Sequence, residues 1–170
     1  MGKIYVISDP HFGHENIIKY CNRPFVNVEA MNNALIENWN AVVTPEDTVF
    51  CLGDFMLGTK EEIIELGQKL NGHKILILGN HDRATKTTYR EAGFEQIYGE
   101  KVIMNFEKYG TIHFSHHRVI NAETHYINLY GHQHDKPTDD EHHRCVSVEM
   151  TDYKPILLED AIKGLTQPEE

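Results

Sequence analysis

The stretch Ile75-Leu76-Ile77-Leu78-Gly79-Asn80-His81-Asp82 decides how this chain is read. Four apolar β-formers run into a glycine, and an amide, an imidazole and a carboxylate follow. The pattern is that of a buried strand ending in a tight turn that presents polar groups at its C-terminal edge. Open α/β sheets hold their ligands at such edges. Three further segments repeat the grammar. Lys3 to Ser8 runs into Asp9-Pro10-His11, Thr48 to Leu52 into Gly53-Asp54, and Ile127 to Tyr130 into Gly131-His132-Gln133-His134. Four strands ending in metal-type residues point to one shared rim.

Helices fill the intervals of the first half. A short one fits Glu15 to Tyr20 and is broken before Pro24. Asn27 is an N-cap for a helix to about Val43, whose Met31, Leu35, Trp39 and Val42 make one buried face. Thr59 and Glu62 form a capping box opening a helix that buries Ile63, Leu66 and Leu70, with Gly72 as its C-terminal cap. Lys86 to Ala92 is helical and is stopped by Gly93. Beyond it the pattern changes to consecutive strands: Lys101 to Phe106 and Thr111 to Ser115 around the turn Glu107-Lys108-Tyr109-Gly110, then Tyr126 to Tyr130 and Val146 to Glu149. Lys136 to His143 is a charged loop, Leu158 to Leu165 a closing helix, and Gln167 to Glu170 a frayed tail. The expected fold is α/β, two packed mixed β-sheets flanked by helices, in one domain over residues 1–170.

Composition narrows the function. A net charge of −10 argues against an extended basic face for nucleic acid. It leaves room for a nucleotide held at a metal site, because bound cations reverse the local field. No apolar run reaches the roughly 18 residues of a membrane helix, and the N-terminus shows no signal-peptide core, so a cytoplasmic location is the default. Cys21, Cys51 and Cys145 are odd in number and irregularly spaced, as reduced cysteines are.

Asp9 and His11, one residue apart at a strand end, can point to the same side and suit a first-row divalent metal. Asp54 has two oxygens and can bridge two ions. Asn80 offers an amide oxygen, His132 and His134 repeat the one-residue spacing, and His116 ends another strand. Each taken alone has an ordinary reading: Asp9 as a cap, Asn80 as a turn residue, His116 as a hydrogen-bonded histidine. Together they outweigh it, since burying so many ionisable groups without cations is costly. His113 and His117 compete with His116 for the same place. His14 is a substrate contact or the start of a helix. Arg23, Arg83 and Arg118 are candidate phosphate contacts by their nearness to the motifs, each weighed against a solvated arginine. His142 and His143 belong to the charged loop.

The motifs Asp9-Pro10-His11, Gly53-Asp54, Gly79-Asn80-His81-Asp82, Ser115-His116 and Gly131-His132-Gln133-His134, in this order, resemble the calcineurin-like metallophosphoesterase superfamily. Ser8 to Asn16 and Asp152-Tyr153-Lys154-Pro155 are similar to its small bacterial and phage members. The resemblance implies an α/β sandwich with two metal ions. One ion would take Asp9, His11, Asp54 and His134, and the other Asp54, Asn80, His116 and His132. It implies a bridging hydroxide as nucleophile, with His81 as general acid and Asp82 either charging His81 or holding the loop. Some relatives carry a further acidic residue after Gly-Asp; here Phe55-Met56-Leu57 offers none. Two aspartates facing two divalent ions leave about two positive charges, which would attract a phosphate ester to an acidic protein. Manganese is the favoured metal over iron, zinc, cobalt or nickel.

The function expected is therefore hydrolysis of phosphate esters, with a lean to phosphodiesters and nucleotides because the chain leaves little room for a cap domain. The alternatives are a phosphomonoesterase, a mononuclear hydrolase, and a non-catalytic metal-binding interaction module on the same fold. Retention of every ligand position together with His81 speaks against the last.

Overall fold

A computed structural model describes residues 1–120 and 126–167. Of the frayed tail expected over Gln167 to Glu170, residues 168–170 lie outside the described residues. The first sheet is built from β1 (Ile4–Ile7), β2 (Thr48–Cys51), β3 (His73–Ile77), β4 (Phe94–Tyr98) and the two-residue β9 (Ile156–Leu157), in the order β4-β3-β2-β1-β9. Its first four strands are parallel and β9 is antiparallel. The second sheet runs β5 (Lys101–Phe106), β6 (Gly110–Ser115), β7 (Ile127–Tyr130), β8 (His143–Cys145). Only the β5–β6 hairpin in it is antiparallel. Both sheets are thus mixed, as expected for this α/β class.

Alternation along each strand divides the interior in two. Tyr5, Ile7, Val49, Cys51 and Leu76 face the helices α1 (Glu15–Tyr20), α2 (Val28–Val42), α3 (Lys60–Gln68) and α4 (Lys86–Glu91), where Met31, Leu35, Trp39, Ile63 and Tyr89 complete a buried cluster. Val6, Phe50, Leu52 and Ile77 face the second sheet and meet Ile112, Phe114, Ile127 and Leu129. Phe50 stacks on Phe114 with ring centres 4.4 Å apart, pinning the sheets together. The Asn27 cap and the Thr59–Glu62 capping box both form.

Four details depart from the expectations. The last strand of the second sheet is His143–Cys145, so His143 is a buried strand residue and not part of the loop. Val146 and Ser147 then cross between sheets, Val146 N–H donating to Tyr130 and Ser8 N–H donating to Val146, and Val148–Met150 closes into a 3-10 turn. Strands β4 and β9 were not anticipated. The closing helix α5 is short, Leu158–Ala161, and α3 ends at Gln68, so Gly72 (φ +94°) serves the turn into β3 and not the helix cap. Among the described residues no helix is long and apolar enough to cross a membrane.

Candidate metal centre

Parallel pairing sets the C-terminal ends of β1, β2 and β3 side by side, so Asp9, Asp54 and Asn80 emerge on one edge. The end of β7 meets them because residue 131 is glycine: a Cβ there would collide with Ser8 Oγ and Asp9 Oδ2. A Cβ at Gly79 would likewise strike the Asp54 carboxylate. Among the described residues, eight non-glycine residues have left-handed backbone, and five of them are Asp9, His11, Asp54, His132 and His134. Such backbone costs on the order of 1–3 kcal/mol per residue and persists where the surroundings enforce it, often at functional sites.

Two groups of donors result, sharing Asp54. In the first, Asp9 and His11 are buried; His11 Nε2 and His134 Nε2 lie 3.8 and 3.7 Å from Asp9 Oδ1, and His11 Nε2 lies 3.3 Å from Asp54 Oδ2. The other Asp9 oxygen is held by the Ser147 hydroxyl and the His132 N–H, each at 2.8 Å. In the second, His116 Nε2 lies 3.3 Å from Asp54 Oδ2 and 2.9 Å from Asn80 Oδ1, while its Nδ1 lies 2.8 Å from the Leu52 carbonyl. The His132 ring stands 5.2 Å from that of His116. Of the competing histidines, His113 is buried away from these atoms with both ring nitrogens unpartnered, and His117 is exposed against His132 at 4.2 Å.

Burial alone would raise the pKa values of Asp9 and Asp54, but the adjacent imidazoles of His11 and His116 hold both well below the carboxylate range. Burial lowers His116 and His134; the Asp54 contact carries His116 up to about 9, and hydrogen bonds to Cys21 and Glu149 carry His134 up to about 10. Asp9 Oδ1 and His11 Nε2 are nevertheless buried without a hydrogen-bond partner. Hard oxygen and imidazole nitrogen left bare and convergent are a donor set that a divalent cation completes. Asp9, His11 and His134 could hold one cation, and Asp9, Asp54 and His116 or His116, His117 and His132 could hold another.

The His81 ring is exposed at the rim, 5.5 Å from that of His11 and 6.1 Å from that of His14, and its backbone N–H donates to Asp54 at 2.9 Å. Asp82 turns the other way. Its oxygens accept from the N–H groups of Gly79, Asp54 and Phe55 at 2.7–2.9 Å, which ties the β2 and β3 turns together. His14 is at the site, its Nδ1 3.2 Å from that of His11. Arg83 is exposed nearby, whereas Arg118 is paired with Asp140.

Arg23 corrects the expectation of a substrate contact or a surface arginine. It is 4% exposed, donates to the carbonyls of Asp9 and Pro10 at 2.8 and 2.7 Å, and pairs with Glu149 at 2.7 Å. Glu149 in turn lies 3.1 Å from His134 Nδ1, fixing that ring as carboxylates fix ligating histidines. Sequence reasoning missed Glu149 and Ser147 because both fell within an expected strand. No local spacing identifies Glu149 as the charge partner of Arg23 and His134.

The model of calcineurin-like phosphoesterases matches residues 2–165. An uncharacterized protein of Methanocaldococcus jannaschii is 39% identical over 96% of this chain and 91% of its own length. The gene 66 protein of Mycobacterium phage L5 is 40% identical over 48% of this chain and 41% of its own. Among solved structures, a protein of unknown function from Aquifex aeolicus has a TM-score of 0.75 at 28% identity, covering 96% of this chain and 99% of that one. The Pseudomonas putida nuclease MPE has a TM-score of 0.52 at 18% identity, covering 77% and 61%, and shares the fold.

Proposed function

As this chain belongs to the calcineurin-like phosphoesterase family, we propose that it hydrolyses phosphate esters, with a preference for phosphodiesters, at a centre of two divalent cations. Asp9, His11, Asp54 and His134 would hold one cation; Asp54, Asn80, His116 and His132 would hold the other. The observation that supports this reading best is the pair of bare buried donors, Asp9 Oδ1 and His11 Nε2, set against Asp54, whose one oxygen faces histidines of both groups. Bound divalent cations supply a nucleophilic water at neutral pH and neutralise charge on the phosphoryl oxygens. Manganese is our choice among metals accepting mixed oxygen and nitrogen ligands.

The chain's own residues supply the rest. His81, fixed through its N–H to Asp54 yet open to solvent, donates a proton to the leaving oxygen. Asp82 acts as a positioning residue, holding the Gly79 turn against the Asp54 turn so that His81 keeps its place. Exposure of Asn80, His81 and His132 favours a diester, whose second substituent needs room. Three free cysteines, two of them buried, suit a cytoplasmic setting.

The test is turnover of an aryl phosphodiester and an aryl phosphomonoester by manganese-loaded protein, with metal content on the same samples. His81→Ala should keep its metal and lose turnover; Asn80→Ala should lose metal. Absence of turnover with every first-row divalent metal would discard the enzyme reading.

A further inference from the structure

A cavity of about 600 Å³ opens beside His81, between α3 and the segment 83–88. Its apolar lining is Met56, Ile63, Ala84 and Leu57, and Leu57 is 54% exposed. Its charged lining is Lys60 and Arg83, with no carboxylate, in a protein of net charge −10. Glu91 engages Lys60 at 3.2 Å. Arg83 has no ion-pair partner among the described residues. Met56 and Leu57 offer apolar surface beside His81.

We propose that this cavity is the leaving-group subsite and that the alcohol it accepts is a nucleoside phosphate, a flat ring system carrying its own anion. The inference rests on the phosphoesterase reading. In that reaction a water oxygen bonds to phosphorus, the phosphorus–oxygen bond to the leaving group breaks, the leaving oxygen takes the proton of His81, and the water gives up a proton to solvent. The leaving group therefore departs on the His81 side, and His81 lines this cavity. The volume falls within the roughly 300–1,000 Å³ usual for small-molecule sites. A ring covers Leu57, Met56 and Ile63, removing apolar surface from water. Arg83 meets a second phosphate with the paired donors suited to it. A small aliphatic alcohol would use neither feature.

The experiment measures binding of adenosine 5′-monophosphate to metal-free protein by calorimetry, so that the cations play no part. The nucleotide should bind more tightly than adenosine. Arg83→Ala should weaken the nucleotide by about tenfold, the worth of a charge-assisted contact, and Arg83→Lys should recover part of it. Ala84→Trp, with a melting curve to show that it folds, should exclude both ligands. With manganese-loaded enzyme, two matched dinucleotide diesters are compared, one bearing a terminal phosphate on the leaving nucleoside. Arg83→Ala should shift the ratio of their kcat/KM values by about tenfold against the phosphorylated one. Nucleotide binding that is absent, or untouched by both substitutions, would overturn the subsite even if esters are hydrolysed. Binding as described with no ester hydrolysed would remove the phosphoesterase reading and the leaving-group role with it.

Discussion

The two halves of the proposed metal centre are supported differently. Around His134 the donors are buried and braced: Ser147 holds Asp9, Glu149 holds His134, and Arg23 spans Glu149 and the Asp9 and Pro10 carbonyls. Around His132, apart from the shared Asp54, only His116 is deeply buried; Asn80 and His132 are exposed, and the His132 ring rests against His117. One half is braced by buried partners, while the other is open to the solvent from which substrate comes. Preorganised donors bind without further ordering cost, so the braced half should bind first and more tightly.

The largest expected effect comes from breaking the brace. Arg23→Met leaves the buried Glu149 carboxylate without its cation and should cost about 3–5 kcal/mol of stability, read as a lower melting temperature and denaturation midpoint. A loss well under 1 kcal/mol would mean that the brace is ornamental. Next, Glu149→Gln should weaken the tighter cation about 10–100-fold, as lost outer partners of ligating histidines do, and leave the weaker one in place. His132→Ala should do the reverse, removing the weaker cation alone. Metal titration of both variants would make the comparison sharp, and equal losses in each would erase it.

How much of this was legible in the sequence follows the same division. Asp9, Asp54, Asn80 and His132 each follow an apolar strand directly, so chain-local grammar exposes them. The capping box at Thr59 is local in the same sense. Arg23 and Glu149 are separated by 126 residues, and nothing within either neighbourhood announces the pair. Strand β4 escaped because Glu95 and Gln96 are exposed at the sheet edge, which breaks the apolar run expected of a parallel strand. β9 is two residues long and owes its existence to pairing with β1. The chain from Val146 to Glu149 looks like a strand because it begins as one, then leaves the second sheet to reach the first.

The smallest effect lies on the open side. Asp140 pairs with Arg118 and His143, securing the chain just after His117. Burial would raise its pKa, but the His142 N–H, His143 and Arg118 pull it down to about 2. A carboxyl depressed in the folded state contributes above its unfolded value near 3.8 and loses that contribution as pH falls towards 2. The side chain is 43% exposed, so screening limits the gain to about 1 kcal/mol or less. Asp140→Asn should therefore be slightly less stable than the parent at pH 7 and equal to it once the pH is well below 2. A difference that persists in acid would trace the effect to something other than charge.

In the proposed centre one carboxylate, Asp54, joins a braced and an open cation site. The most direct test is titration of metal-stripped protein with manganese, followed by calorimetry and by electron paramagnetic resonance. Two unequal binding events per chain are expected, with the spectrum of an isolated ion after the first and of a coupled pair after the second, and neither intact in Asp54→Ala. Saturation at a single ion per chain, with no coupled spectrum at any excess of metal, would contradict it.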